Sequence, residues 1–147
     1  MKKTILISGL LLLAGCAAPV AKMYDGPMLA TSEQVIVRVD ARGRTFASER
    51  VDIQAVDDKQ TLSMGEGIIS SSSGAEAVYI LPGKHTLRLR YRGKGAAVTA
   101  NLWFVGEKGG SYVVKATQTG DGVKVWIEDE KTGQPTGGVR GSADEPK

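Results

Sequence analysis

Residues able to do acid–base, nucleophilic or metal chemistry are sparse in this sequence. It holds one histidine, His85, and one cysteine, Cys16. A nucleophile needs a base within reach, and a zinc site needs several convergent ligands. No Gly-x-Ser-x-Gly elbow, Ser-x-x-Lys, His-Glu-x-x-His or phosphate loop occurs. Carboxylates cluster twice, as Asp57-Asp58 and as Glu128-Asp129-Glu130. A glycosidase would hold two of them across a cleft, roughly 5–9 Å apart. Both clusters end strand-like runs, where solvated turn acids are common. Neither has the Asp-x-Asp-x-Asp-Gly spacing of a calcium loop. The expectation is a protein that is not an enzyme, with no cofactor and no metal site.

What remains is binding chemistry. Arg88, Arg90 and Arg92 recur with period two, so a strand puts all three on one face, with Lys94 just beyond. Such a row suits phosphate or carboxylate on a glycolipid, an anionic lipid or a protein. The plainer alternative is a solvated sheet face whose arginines pair with acids on neighbouring strands. Trp103 and Trp126 have the opposite parity to the apolar residues of their own runs. Both rings therefore point away from the core, where they stack on sugars or anchor a protein contact, unless the chain ends cover them. His85 shares the parity of Leu87 and reads as a turn-flanking residue whose imidazole bonds nearby backbone. A ligand or pH-sensitive contact is the sharper alternative.

The elements that must position these residues are strands. Alternation with β-branched residues marks Gln34–Val39, Arg50–Val56, Ala75–Leu81, Lys84–Arg92, Ala97–Val105, Ser111–Thr117 and Val123–Glu128. Leu62–Ser70 is a weaker eighth run, and Ser70 to Ser73 with Gly74 reads as a flexible loop. Leu81-Pro82-Gly83-Lys84 suits a type II turn. Gly106-Glu107-Lys108-Gly109-Gly110 and Thr119-Gly120-Asp121-Gly122 read as hairpin connections. Strands with one apolar face need a second sheet to cover it. The fold expected is all-β: a single antiparallel β-sandwich of seven or eight strands spanning residues 32–135.

The flanks are different. Lys2 and Lys3 precede an apolar run from Thr4 to Leu13, closed by Ala14-Gly15-Cys16. That is a signal-peptide layout, and too short to span a bilayer, which takes about 20 apolar residues. Leu13-Ala14-Gly15-Cys16 resembles the lipobox of bacterial lipoproteins. The resemblance implies cleavage between Gly15 and Cys16 and acylation of Cys16. Residues 1–15 are then a signal peptide, 16–31 a lipidated tether and 136–147 a flexible tail. Alanine at position 17, rather than aspartate, implies outer-membrane sorting by enterobacterial rules. Removing Lys2 and Lys3 leaves 17 basic against 16 acidic side chains. A charge near zero gives no electrostatic footprint for nucleic acid. The partners expected are the membrane, through the lipid, and an envelope protein or glycan.

Two further resemblances bear on the fold. Val78-Tyr79-Ile80-Leu81-Pro82-Gly83-Lys84-His85-Thr86-Leu87-Arg88-Leu89 is similar to the hairpin of PEGA-like and transthyretin-like bacterial sandwiches. Tyr24-Asp25-Gly26-Pro27, that hairpin, and Trp126 through Gly133 together resemble a group of small bacterial lipoproteins of unknown function. Members of that group often carry Asp-Gly-Lys where this chain has Asp57-Asp58-Lys59. These likenesses imply a fold and a location, and no activity.

Overall fold

The structure, a computed structural model, describes residues 20–40, 49–61, 74–93, 95–120 and 122–147. The expected signal peptide with its Gly15–Cys16 junction, the weak run Leu62–Ser70, the expected loop Ser70–Ser73 and Lys94 lie outside them.

The chain folds as two packed β-sheets. One contains β1 (Ala21–Lys22), β5 (Ala77–Ile80), β2 (Val35–Val39), β8 (Ser111–Thr119), β9 (Gly122–Asp129) and β10 (Pro135–Thr136), in that order. The other runs β11 (Gly138–Val139), β7 (Ala96–Gly106), β6 (Gly83–Gly93), β3 (Arg50–Val56) and β4 (Lys59–Gln60). All seven strong runs are strands. Their period-two alternation puts Val35, Val37, Val78, Ile80, Val114 and Ile127 of the first sheet against Ile53, Leu87, Leu89, Leu102 and Phe104 of the second. The Phe104 and Tyr112 rings meet edge to face at 5.1 Å, a favoured aromatic geometry.

Three features depart from the sequence expectation. First, β2 pairs with β8 in parallel, as β1 does with β5, so the first sheet is mixed. Second, Gly106–Gly110 is not a hairpin. It carries the chain from β7 in one sheet to β8 in the other, held by hydrogen bonds from Glu107 N to Tyr112 Oη (2.9 Å) and from Gly109 N to the Gln34 carbonyl (3.1 Å). Likewise Leu81-Pro82-Gly83-Lys84 does not close a hairpin between Val78 and Leu89: it joins β5 of one sheet to β6 of the other. Turn composition signals a reversal, but not the sheet in which the next strand pairs.

Third, the flanks take part in the fold. In the stretch expected as tether, β1 pairs with β5, and Tyr24 is buried, its hydroxyl donating to Gln34 Oε1 (2.8 Å) and accepting from Leu29 N (3.1 Å). In the stretch expected as a flexible tail, β11 pairs with β7, and Arg140 N donates to the Asn101 carbonyl (2.9 Å). Pairing thus runs beyond the expected limits of 32 and 135. Two-residue strands carry no period, so alternation cannot reveal them.

Candidate functional site

The arginine row lies on the outer face of β6, opposite the core-facing Leu87, Leu89 and Tyr91. Register sets Arg92 beside Arg50, and Arg90 beside Asp52. The Asp52 side chain has no exposed surface, because arginines close over it. Arg50 Nε donates to Oδ1 at 2.5 Å and Arg92 Nη2 to Oδ2 at 2.8 Å. A buried carboxylate is tolerated when such charge-assisted bonds satisfy it. Arg88 Nη2 lies 3.1 Å from Asp58 Oδ1, which also meets Arg140 Nη1 at 3.4 Å. Arg88 and Arg92 are thus tied to acids of their own sheet, as the plainer reading of the row anticipated. Asp52, which organises this face, was not among the residues singled out. Its parity, between core-facing Val51 and Ile53, was the available signal.

The two tryptophans sit on different sheets. Trp103 shares the outer face of the arginine row, but the C-terminal segment covers it. Its indole N–H donates to Ser142 Oγ (3.2 Å), and Gly138 lies against the ring. Trp126 lies on the outer face of β9, half-buried. Its N–H donates to Glu128 Oε2 (3.4 Å), and the Lys124 ammonium stands 5.5 Å from the ring centroid. Trp126 borders a cleft of about 240 Å³ lined also by Asp40, Glu49, Arg50, Tyr91 and Lys115. Asp40 and Glu49 flank segment 41–48, which lies outside the described residues.

Electrostatics around the cleft are specific. A hydrogen bond from Lys115 Nζ (2.6 Å) is the main cause holding the Glu128 carboxyl below its ordinary value, with a smaller contribution from Trp126 and against the effect of burial. Burial, then the nearby charge of Glu49, push the Tyr91 phenol up. The cleft therefore joins an aromatic face to ionised groups of both signs.

The remaining candidates fall at the far end of the sandwich, where β3 and β9 terminate. Asp57 and Asp58 form the two-residue turn between β3 and β4, both at positive φ (48° and 64°). Asp57 accepts from Thr86 N (2.8 Å) and faces His85 Nδ1 (2.6 Å). His85 Nε2 faces the Leu81 carbonyl (2.7 Å), so the imidazole does bond nearby backbone. Glu128, Asp129 and Glu130 end β9, on the opposite edge beside β10. Asp129 Oδ1 caps the next turn through Lys131 N and Thr132 N, and Glu130 pairs with Arg38. The two acid clusters do not converge on one site.

Among the described residues no helix is long and apolar enough to cross a membrane, and no three His, Cys, Asp or Glu residues group to hold a metal. The chain matches no protein-family model, no curated protein and no solved structure.

Proposed function

We propose that this is a lipid-anchored envelope protein that binds rather than catalyses, a sandwich module contacting another component of the cell envelope from an outer-membrane anchor. The observation that carries this reading is the closeness of the Leu13-Ala14-Gly15-Cys16 motif to the fold. The first paired strand begins at Ala21, so an acyl group on Cys16 would hold the sandwich directly at the membrane. Three acyl chains exceed the two-signal requirement for stable attachment.

The geometry moves the favoured contact surface. Trp103 is covered by the chain's own C-terminus, and Arg88 and Arg92 are paired within their sheet. Trp126, at the rim of its cleft, is the better candidate. Large aromatic rings at cleft rims anchor protein contacts. The test is cross-linking of tagged protein in intact cells, with Cys16→Ala as the mislocalised control. One abundant partner is expected, lost in both Cys16→Ala and Trp126→Ala. A partner retained in full by Trp126→Ala would reject this surface.

A second reading, a carbohydrate-binding module for peptidoglycan or lipopolysaccharide, is favoured by one feature. The Trp126 ring borders the same cleft as Asp40, Glu49 and Arg50, and sugars are held by an aromatic face with hydrogen-bonding groups around it. Sedimentation with purified sacculi at low salt separates the two. Retention that depends on Trp126 favours the glycan, and no retention favours a protein partner.

A further inference from the structure

We infer that the end of the sandwich carrying the β6–β7 and β8–β9 connections rests on the phospholipid headgroups of the bilayer that holds the anchor. This rests on the proposed acylation of Cys16 and adds an orientation to it. Only Ala17–Val20 separate Cys16 from β1. Five chain steps reach at most about 18 Å. β1 runs parallel to β5 and therefore opposite to β2, so its N-terminal end points toward the end where β2 stops at Val39. Register carries Ala21 across the sheet to Val78, Val37 and Tyr112. Beyond Tyr112, β8 continues in that direction to Thr119, about 24 Å at the rise of an antiparallel strand.

The leash is thus shorter than the reach of the β8–β9 hairpin, three strands away in the same sheet. Stretched straight along the strands, it leaves Cys16 short of the level of the β8–β9 tip. Acyl chains on Cys16 enter a bilayer only if this end of the domain comes down to meet it. A domain lying flat on its β1 edge would instead bring both ends down together, an arrangement that the experiment below distinguishes. With the domain upright, the opposite end, with Asp57, His85 and Asp129, is held away by the length of β6, about 36 Å for eleven residues.

The chemistry at the near end suits phosphodiester groups. Lys124 is exposed on the β8–β9 hairpin. Arg50 and Arg92 stand at the matching ends of β3 and β6, but both are already paired with Asp52, and Arg50 is also 3.8 Å from Glu76, so Lys124 leads the contact. Guanidinium and ammonium groups near an anionic leaflet are attracted to it within about a Debye length.

The experiment uses the full-length acylated protein in vesicles of phosphatidylethanolamine and phosphatidylglycerol that carry a headgroup-linked quencher. Cys16 is the only cysteine and acylation consumes it, so an introduced cysteine takes a fluorophore alone. Gln118→Cys and Lys124→Cys label the near end; Lys108→Cys and Lys131→Cys label the far end. The near labels are expected to lose most of their emission and the far labels none. Equal quenching at both ends, or quenching only at the far end, overturns the orientation. Ten Gly/Ser residues inserted between Ala18 and Pro19 should abolish near-end quenching while the protein stays vesicle-bound. Quenching unchanged by that insertion overturns the leash argument. The two readings fail differently. A Cys16 without diacylglycerol, by mass spectrometry of the protein, removes the anchor and the orientation with it. Acylated protein with no contrast between the ends removes the orientation alone.

Discussion

Asp57 and Asp58 show how adjacent identical residues acquire different work. Both sit at positive φ, the conformation a two-residue turn of this kind demands and glycine meets most easily. Asp57 also bonds Thr86 N and His85, whereas the Asp58 carboxylate makes only exposed ion pairs, worth little in water. Asp58→Gly should therefore stabilise the protein by about 0.5 kcal/mol, through relief of the turn residue. Asp57→Gly should cost about 1–2 kcal/mol, because the Thr86 N–H loses its acceptor and His85 the carboxylate it faces. Urea denaturation separates the two signs. Tyr91 gives a pH signature. Burial, then Glu49, raise its phenol above the ordinary 10.0, so above that pH the folded chain holds a proton that the unfolded chain releases. Stability is present in full below 10 and falls as the pH rises through the higher folded value. Tyr91→Phe should remove that alkaline slope in urea titrations at successive pH values. At this scale the sequence was readable where parity decides, as for the arginines and for His85. For Asp52 it offered the parity but not the burial, which depends on guanidinium groups from the neighbouring strand and from two positions back on its own.

The C-terminal segment is where composition and structure part most clearly. Gly, Pro, Ser and charges from Gln134 onward suggest a loose end, yet β10 pairs with one sheet and β11 with the other. The hinge between them is Gly137, at φ 74°, where a Cβ would stand 1.9 Å from the Trp103 carbonyl oxygen. Any side chain there must push β11 off β7. Gly137→Ala should cost about 2 kcal/mol or more and shift Trp103 emission to the red as its cover lifts. Trp126→Phe as background makes that emission unambiguous. The same cover should respond to acid. A hydrogen bond from Gly141 N (2.6 Å), then Lys84 Nζ, hold the Glu145 carboxyl below its ordinary 4.5. A lowered carboxylate contributes stability above its unfolded value and loses it as the pH falls through the folded value. Trp103 emission should therefore move red as the pH drops below 4.5, and Glu145→Gln should flatten that step. The seven longer strands were legible because alternation over four or more residues is a strong signal. The four two-residue strands have no period, and two of them, β1 and β11, pair with strands far off in sequence.

Over the whole molecule, period-two faces required a second sheet, and the second sheet is there. The assignment of each strand to its sheet was not legible. Glycine-rich connections look alike whether they close a hairpin, as at Thr119–Gly122, or cross the sandwich, as at Gly106–Gly110. Crossings are what bind the halves together. Ala75 bridges Ile53 in one sheet, and two residues later Ala77 opens β5 in the other. Leu81-Pro82 crosses back between β5 and β6, Gly106–Gly110 crosses between β7 and β8, and Gly137 crosses between β10 and β11. The apolar face of each sheet is also the only cover for the other, so neither can lose its partner without exposing Phe104, Leu89, Ile80 and Val37 to water, at roughly 25 cal/mol for each Å² uncovered. These couplings predict one cooperative transition rather than two. The tryptophans make the test direct, since Trp103 reports from one sheet and Trp126 from the other. Trp103→Phe and Trp126→Phe each leave a single reporter. After the stability change caused by each substitution is taken from circular dichroism of the same sample, fluorescence and dichroism midpoints in urea should coincide in both variants. A Trp103 transition that precedes the dichroism change would show the C-terminal cover lifting on its own. A Trp126 transition that precedes it would mean that β9 leaves the core before the second sheet does, and the two sheets would then have to be treated as separate folding units.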